Sequence, residues 1–357
     1  MKKYILIVFM LCVGFVYAQP ERVGQSGAAE LLINNVPRSS SLNGLNIGSS
    51  EGIESSFVNP AGVATTEGTE LLFSHTRWLI GSDISINSFG VSQGLGSGNG
   101  SLGLAINAFN FGDLTRTTVS NPDGDLGTFR VTYLNIGLTY ARQFTDRIYV
   151  GFTGRLISES TPEVAASGFA LDAGIQYRAL EKDRLKLGIS LRNVGPTMAF
   201  DGDGLARRVE LENNNGFTST VQLEGEEFEI PATLSMGGSF DFFLGENNTI
   251  TATAGFISNS FYYNQGGLGL SYKYKDFVIL SGSFLYENGI FGETIGVDGR
   301  YNVYTGFASG ATFQVPFKTG RRDLEGNLVS SKFSLDMSYR TTNPFGGTLV
   351  LGVRTEI

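Results

Sequence analysis

The sequence predicts an all-β fold, a transmembrane antiparallel β-barrel of about 14 strands with an N-terminal plug segment. Three observations predict it. Apolar and polar residues alternate with period two through most of the chain. The N-terminus has the layout of an export signal. The composition suits strands that bend and close, with 48 Gly, 27 Phe and 14 Tyr in 357 residues against 9 Pro and 1 His. Glycine this frequent weakens helices and is tolerated where strands bend.

The alternation is explicit in several segments. Phe169, Leu171, Ala173, Ile175 and Tyr177 interleave with Ala170, Asp172, Gly174, Gln176 and Arg178. Leu185, Leu187, Ile189 and Leu191 interleave with Lys186, Gly188, Ser190 and Arg192. Leu268, Leu270, Tyr272 and Tyr274 repeat the pattern, as do Leu349, Leu351 and Val353. Successive strand side chains face opposite sides, so each segment has one apolar and one polar face. A soluble sandwich also alternates. Segments of about ten residues, the length of a tilted membrane strand, favour the barrel. Short and long connections alternate along the chain, as periplasmic turns and outer loops do. Tyr140 and Tyr149 flank the turn Gln143 to Asp146, and Tyr177 precedes another, in the manner of an interfacial aromatic girdle.

The export signal begins with Lys2 and Lys3, continues in an apolar run from Tyr4 to Val16, and closes on the small Ala18. The run is too short to span a bilayer and reads as a signal peptide over residues 1–18. The only cysteine, Cys12, lies inside it, which excludes disulfide and thiol chemistry from the mature chain. Losing Lys2 and Lys3 takes the formal charge of −8 two units further negative. So acidic a chain is no partner for nucleic acid, whose phosphates need basic groups. No other stretch reaches the roughly 20 apolar residues of a spanning helix. A membrane chain without such helices must be a closed barrel, which alone satisfies every backbone group. The mean hydropathy of +0.02 fits an average over lipid-facing apolar and lumen-facing polar positions.

Candidate strands read at 70–79, 83–93, 101–111, 131–142, 147–158, 168–178, 185–193, 232–243, 249–257, 267–275, 277–286, 293–303, 306–316, 332–340 and 347–357. Bacterial single-chain barrels have an even strand number, so one of about fifteen must go. The weakest is 332–340, between the polar stretch Lys318 to Ser331 and Asn343-Pro344. The remaining set puts both mature termini on the periplasmic side, with 112–130, 194–231 and 317–346 as the longest outer segments. The barrel then covers 69–357. Residues 19–68 precede it, polar and Gly/Ser-rich, yet they carry Leu31, Leu32, Ile33, Leu42, Leu45, Ile47, Ile53 and Phe57. That is more apolar content than a free tail has, and the segment is expected to fold inward as a plug. Asn59, Pro60, Ala61 and Gly62 are its expected anchor, because this turn chemistry steers the chain back toward the lumen.

Several residues invite chemistry. By strand parity Arg155, Asp172, Lys186, Asp298, Arg300 and Asp336 face the lumen. They are read as paired within a filled interior. Ser74 and His75 are adjacent, but neighbours on a strand point to opposite faces, so they do not form a hydrolytic pair. Asp123-Gly124-Asp125 and Asp201-Gly202-Asp203-Gly204 lack the ligand spacing of a calcium loop and read as tight turns. Glu224, Glu226, Glu227 and Glu229 form a solvated acidic run. No catalytic residue, cofactor site or metal site is expected, and the chain is read as not an enzyme.

The ordered set of short motifs resembles the PorV/PorQ family of Bacteroidetes outer-membrane proteins, which is similar in turn to FadL-type barrels. Ser55-Ser56-Phe57-Val58-Asn59-Pro60-Ala61-Gly62 looks like the family's Asn-Pro-Ala-Gly element. Ser74-His75-Thr76-Arg77-Trp78-Leu79 resembles its first-strand motif. Tyr140-Ala141-Arg142, Thr145-Asp146-Arg147, Ala170-Leu171-Asp172-Ala173-Gly174 with Tyr177, Leu191-Arg192-Asn193-Val194-Gly195-Pro196, and Ile230-Pro231 follow in order. The resemblance implies an accessory role in type IX secretion, with the translocon or exported cargo as partners besides outer-membrane lipid. Its alternative, through the FadL likeness, is a channel for uptake of hydrophobic small molecules.

Overall fold

The computed structural model describes residues 22, 24–96, 98–210, 218–296, 299–322 and 328–357. The expected signal peptide, with Cys12, lies outside the described residues, and so does Asp298. Fourteen strands close an antiparallel barrel. They are β1 (Thr69–Trp78), β2 (Ile84–Gly94), β3 (Ser101–Asn110), β4 (Thr132–Thr145), β5 (Ile148–Ser160), β6 (Ala165–Ala179) and β7 (Leu185–Val194). There follow β8 (Thr233–Phe243), β9 (Asn248–Asn259), β10 (Gln265–Tyr274), β11 (Val278–Glu287), β12 (Tyr304–Arg322), β13 (Leu328–Thr342) and β14 (Thr348–Glu356). Each pairs with its chain neighbour, and β14 closes on β1 from Glu70↔Glu356 to Arg77↔Leu349. The β6–β7 ladder carries a register shift between Leu171 and Ala173.

The count of fourteen agrees with the sequence reading, but the strand removed there is the wrong one. Residues 332–340 belong to β13, where Phe333, Leu335, Met337 and Tyr339 are exposed and Ser334, Asp336, Ser338 and Arg340 are buried. The segment 293–303 is instead an irregular connection. Gly296 and Gly299 take positive φ there, and Ile295 makes only an isolated bridge to Arg300. Nor is 317–346 an outer segment. Backbone pairing between β12 and β13 runs on from Ala308↔Arg340 to Arg322↔Leu328, and this hairpin turns at the end that holds Thr69 and Ile357.

The two faces differ as period-two chemistry requires. Phe73, Phe152, Leu156, Leu171, Leu268 and Phe307 are exposed on the outside. Ser74, Thr153, Asp172, Gln176 and Ser190 are buried inside. A continuous apolar exterior on a closed barrel is stable only in lipid. The protein is an outer-membrane β-barrel. Among the described residues no helix is long and apolar enough to cross a membrane; the strands make the crossing. Tyr140 and Tyr177 face outward near strand ends. Tyr149 does not belong to that girdle: it shares the inward parity of Gln176, its register partner, and lies buried under the Arg178 guanidinium, 4.7 Å from the ring centroid.

Connections at the end that holds Thr69 and Ile357 are short except for the β12–β13 hairpin. Arg22 instead pairs with Glu229 at the opposite end, so the expectation that both termini lie on one side is not met by the described residues. At the opposite end three are long, over 111–131, 195–232 and 288–303. The first two fold into small hairpins, Leu114–Thr115 with Thr128–Phe129 and Ala206–Glu210 with Thr218–Gln222. Asp123, Asp125, Asp201 and Asp203 lie in these connections.

Candidate functional site: the occupied lumen

An eight-strand barrel is filled by its own side chains; fourteen strands enclose more than wall residues fill. Here residues 24–68 occupy the space. The segment is a string of tight turns, as its Gly, Ser, Asn and Pro content dictates. Helical turns form at Ala29–Leu32, Pro37–Ser41, Gly52–Phe57 and Pro60–Thr65. Proline begins two of them, where its missing N–H costs nothing. Val36, Leu45, Ile47, Ile53, Ala61 and Val63 are fully buried. Val36, Ile53 and Phe57 pack with Leu72 and Ala105 of the wall. Ala28 and Leu31 pack with Ile157, Ala166 and Ala170 nearer the long-loop end.

Asn59 joins this segment to the wall. Its Nδ2 donates to Ile47 O at 2.9 Å within the segment and to Ile175 O at 3.1 Å on β6. Its Oδ1 accepts from Ala61 N at 3.2 Å, capping the turn that Pro60 begins. Gln176 of β6 reaches back, donating to Ile47 O at 3.1 Å and Ser50 O at 3.0 Å. So close an approach needs glycine in the wall. A β-carbon at Gly174 would collide with Asn59 Oδ1, one at Gly151 with Pro60, and one at Gly188 with Ile47 O. Gly174→Val is therefore expected to displace the Asn59 turn while leaving the barrel closed. Protease cleavage within residues 24–68 of the detergent-solubilised barrel checks it; cleavage no faster than in the wild type contradicts the close approach.

Ion pairs repeat the attachment elsewhere. Arg38 Nε lies 2.9 Å from Asp336 Oδ1 of β13. Glu54 pairs with Arg354 of β14, and Arg354 also lies 3.4 Å from Glu70 of β1. Ser39 donates to Glu54 Oε1 twice, from N and Oγ, each at 2.6 Å. Glu70 accepts from Ile53 N at 2.9 Å. Near the long-loop end Glu30 is buried beside Glu159 of β5. Burial, reinforced by that second carboxylate, pushes the Glu30 carboxyl up from its ordinary value.

The charges expected from parity fall into three groups. Arg155 and Asp172 form a buried pair at 2.6 Å, and Asp172 also accepts from Asn193 N at 2.7 Å. Lys186 pairs with Asp241 of β8 at 3.1 Å. Arg300 is buried but belongs to no strand, which corrects the parity argument for it. It sits in the 288–303 connection and donates to the carbonyls of Asn302, Val303, Gly292 and Asn343. Arg192, Arg340 and Arg354 were missed. Arg340 lay on the strand set aside, although its parity with Asp336 marked it as inward. Ser74 Oγ points inward to Asn35 O at 2.8 Å, while His75 Nδ1 meets Asn87 Oδ1 at 2.8 Å on the other face.

Spaces remain around the segment among the described residues. A cavity of about 290 Å³ opens toward the long-loop end, with Trp78, Tyr262, Tyr263, Tyr301 and Tyr304 in its wall. Spaces of about 250 and 490 Å³ lie toward the short-turn end, with polar linings that include Glu51 and Arg354. The loop Leu42–Asn46 separates the first cavity from the second: Asn43 and Gly44 line the upper one, Leu42 and Asn46 the lower.

The fold and lumen define a class, an outer-membrane β-barrel with an N-terminal segment folded inside it. Among solved structures the chain is similar to the monoaromatic hydrocarbon channel CymD, with a TM-score of 0.51 at 12% identity over 91% of this chain and 97% of that one. It is also similar to the Pseudomonas putida toluene transporter TodX, with a TM-score of 0.51 at 12% identity over 89% and 95% of the two chains. At such identity the likeness is one of fold. No family model matches the chain, and no curated protein matches it. Nothing in these comparisons supports membership of the PorV/PorQ family, a role in type IX secretion or a Bacteroidetes origin.

Proposed function

We propose that the protein is an outer-membrane channel for hydrophobic small molecules, closed at rest by residues 24–68. The observation that carries this reading is the pair of cavities on either side of the loop Leu42–Asn46. The upper one has the aromatic lining and concave form of a ligand pocket. The loop Leu42–Asn46 belongs to no strand and lines both cavities, so its displacement would join them without breaking the barrel. The fold shared with two hydrocarbon channels supports the same reading. The test is uptake of radiolabelled toluene by cells lacking their own hydrocarbon channels. Cells producing this protein are expected to take it up faster than cells with an empty vector, and Trp78→Ala combined with Tyr304→Ala to slow it. Equal rates with and without the protein overturn the reading.

A further inference from the structure

We propose that the cavity at the long-loop end selects a small aromatic molecule bearing one carboxylate, held by Arg340. The inference rests on the channel reading and adds what the site prefers. The aromatic wall supplies flat faces for a ring: Tyr263 and Tyr301 stand 5.7 Å apart between centroids, beside Tyr262, Tyr304 and Trp78. At about 290 Å³ the cavity stands at the small end of ligand pockets, which suits one or two rings.

The charge on the lining is not balanced. Arg340 is only 7% exposed. Its guanidinium carbon sits 3.6 Å from the Tyr304 ring centroid, and its Nε donates to Asn43 Oδ1 at 3.0 Å. Tyr304 is fixed in turn by Trp78 Nε1, which donates to its hydroxyl at 3.0 Å. Asn43 is fixed by donating to Gly306 O at 2.9 Å and Ser283 Oγ at 3.0 Å. The guanidinium is thus held in place before any ligand arrives. Among the described residues its two terminal nitrogens make no hydrogen bond and no ion pair. Arg192 donates to the carbonyls of Phe57 and Leu31 and, among the described residues, has no carboxylate within ion-pair distance; nearby Asp172 is engaged by Arg155.

Other inward arginines do find acids: Arg38 has Asp336, Arg155 has Asp172 and Arg354 has Glu54. The one carboxylate lining the cavity, Glu287, accepts from Gln265 Nε2 at 2.6 Å and Asn302 Nδ2 at 3.0 Å, which are neutral donors. Two guanidinium groups against one carboxylate leave a single positive charge on an aromatic lining. One anionic group on a flat ligand complements it, and the free edge of a guanidinium matches a carboxylate through two parallel hydrogen bonds. A phosphate ester, with its second charge, exceeds the balance.

Trp78 is the only tryptophan in the chain and lines this cavity, so its fluorescence reports occupancy. The full barrel in detergent is titrated with para-nitrobenzoate and with its neutral amide, para-nitrobenzamide, both quenchers of indole. The carboxylate is expected to quench saturably and to bind at least about tenfold tighter than the amide, the effect of one charged hydrogen-bonding contact. Arg340→Gln is expected to remove that preference, and Arg340→Lys to keep part of it. Equal affinity of the two compounds in the wild type overturns the anion inference and leaves the channel reading standing. This comparison decides the matter even if Arg340→Gln fails to fold. Absence of saturable quenching by either compound tells against the cavity as a ligand site, and so against the channel reading itself.

Discussion

Replacing Glu54 by alanine is expected to release the inner segment from the wall while the barrel stays closed. Glu54 is 2% exposed and joins the inner segment to β14. One oxygen accepts from Ser39 N and Oγ, and the other pairs with Arg354. Removal leaves a buried guanidinium with Glu70, at 3.4 Å, as its remaining ion-pair partner among the described residues, and a buried N–H without its acceptor. Breaking a buried pair from one side costs about 3–5 kcal/mol. That loss falls on docking of the segment, because the strand ladders do not pass through Glu54. Glu54→Gln keeps the acceptor for Ser39 and is expected to cost less. Limited proteolysis at Arg38 in the purified barrel reads the difference. Equal protection of wild type and Glu54→Ala contradicts the attachment.

Leu171→Arg is expected to destabilise the barrel in lipid by about 2–4 kcal/mol, the cost of a cation on the lipid face near mid-membrane. Leu171 stands near the middle of β6, 57% exposed, while its neighbour Asp172 points inward to Arg155. Urea unfolding in phospholipid vesicles measures the change. An unaltered midpoint would mean that Leu171 does not face lipid, and the inside and outside of every strand would then be exchanged.

The faces were legible because lipid and lumen impose opposite chemistry on adjacent residues. Leu171 beside Asp172 and Leu187 beside Lys186 state the alternation without any tertiary knowledge. The strand β13 was misjudged for a related reason. Its apolar residues Phe333, Leu335, Met337 and Tyr339 alternate well, but the polar stretch before them reads in sequence as an outer loop. The structure continues the β12–β13 pairing beyond the other strands at the short-turn end, where tight turns are the rule. Attachment of the inner segment was legible only from one side. Strand parity marks Asp172 and Asp336 as inward, yet no local pattern tells that Arg38 meets Asp336 from 298 positions away, or that Glu54 meets Arg354 from 300. Asn59 was singled out for its turn chemistry. The wall glycines that admit this segment, Gly151, Gly174 and Gly188, carry no mark that sets them apart from the other 45 of the same type.

Ion conductance through single barrels in planar lipid bilayers, with and without residues 19–53, tests the central claim most directly. The deletion keeps Glu54, Asn59 and the whole strand set, so the barrel remains. With the deleted residues go Val36, Leu45, Ile47 and Ile53, all fully buried inside it, together with the loop Leu42–Asn46. The account predicts that the shortened barrel passes far more current than the full-length protein, which stays nearly closed. Equal conductance of the two would contradict it, because the segment would then not be what closes the lumen.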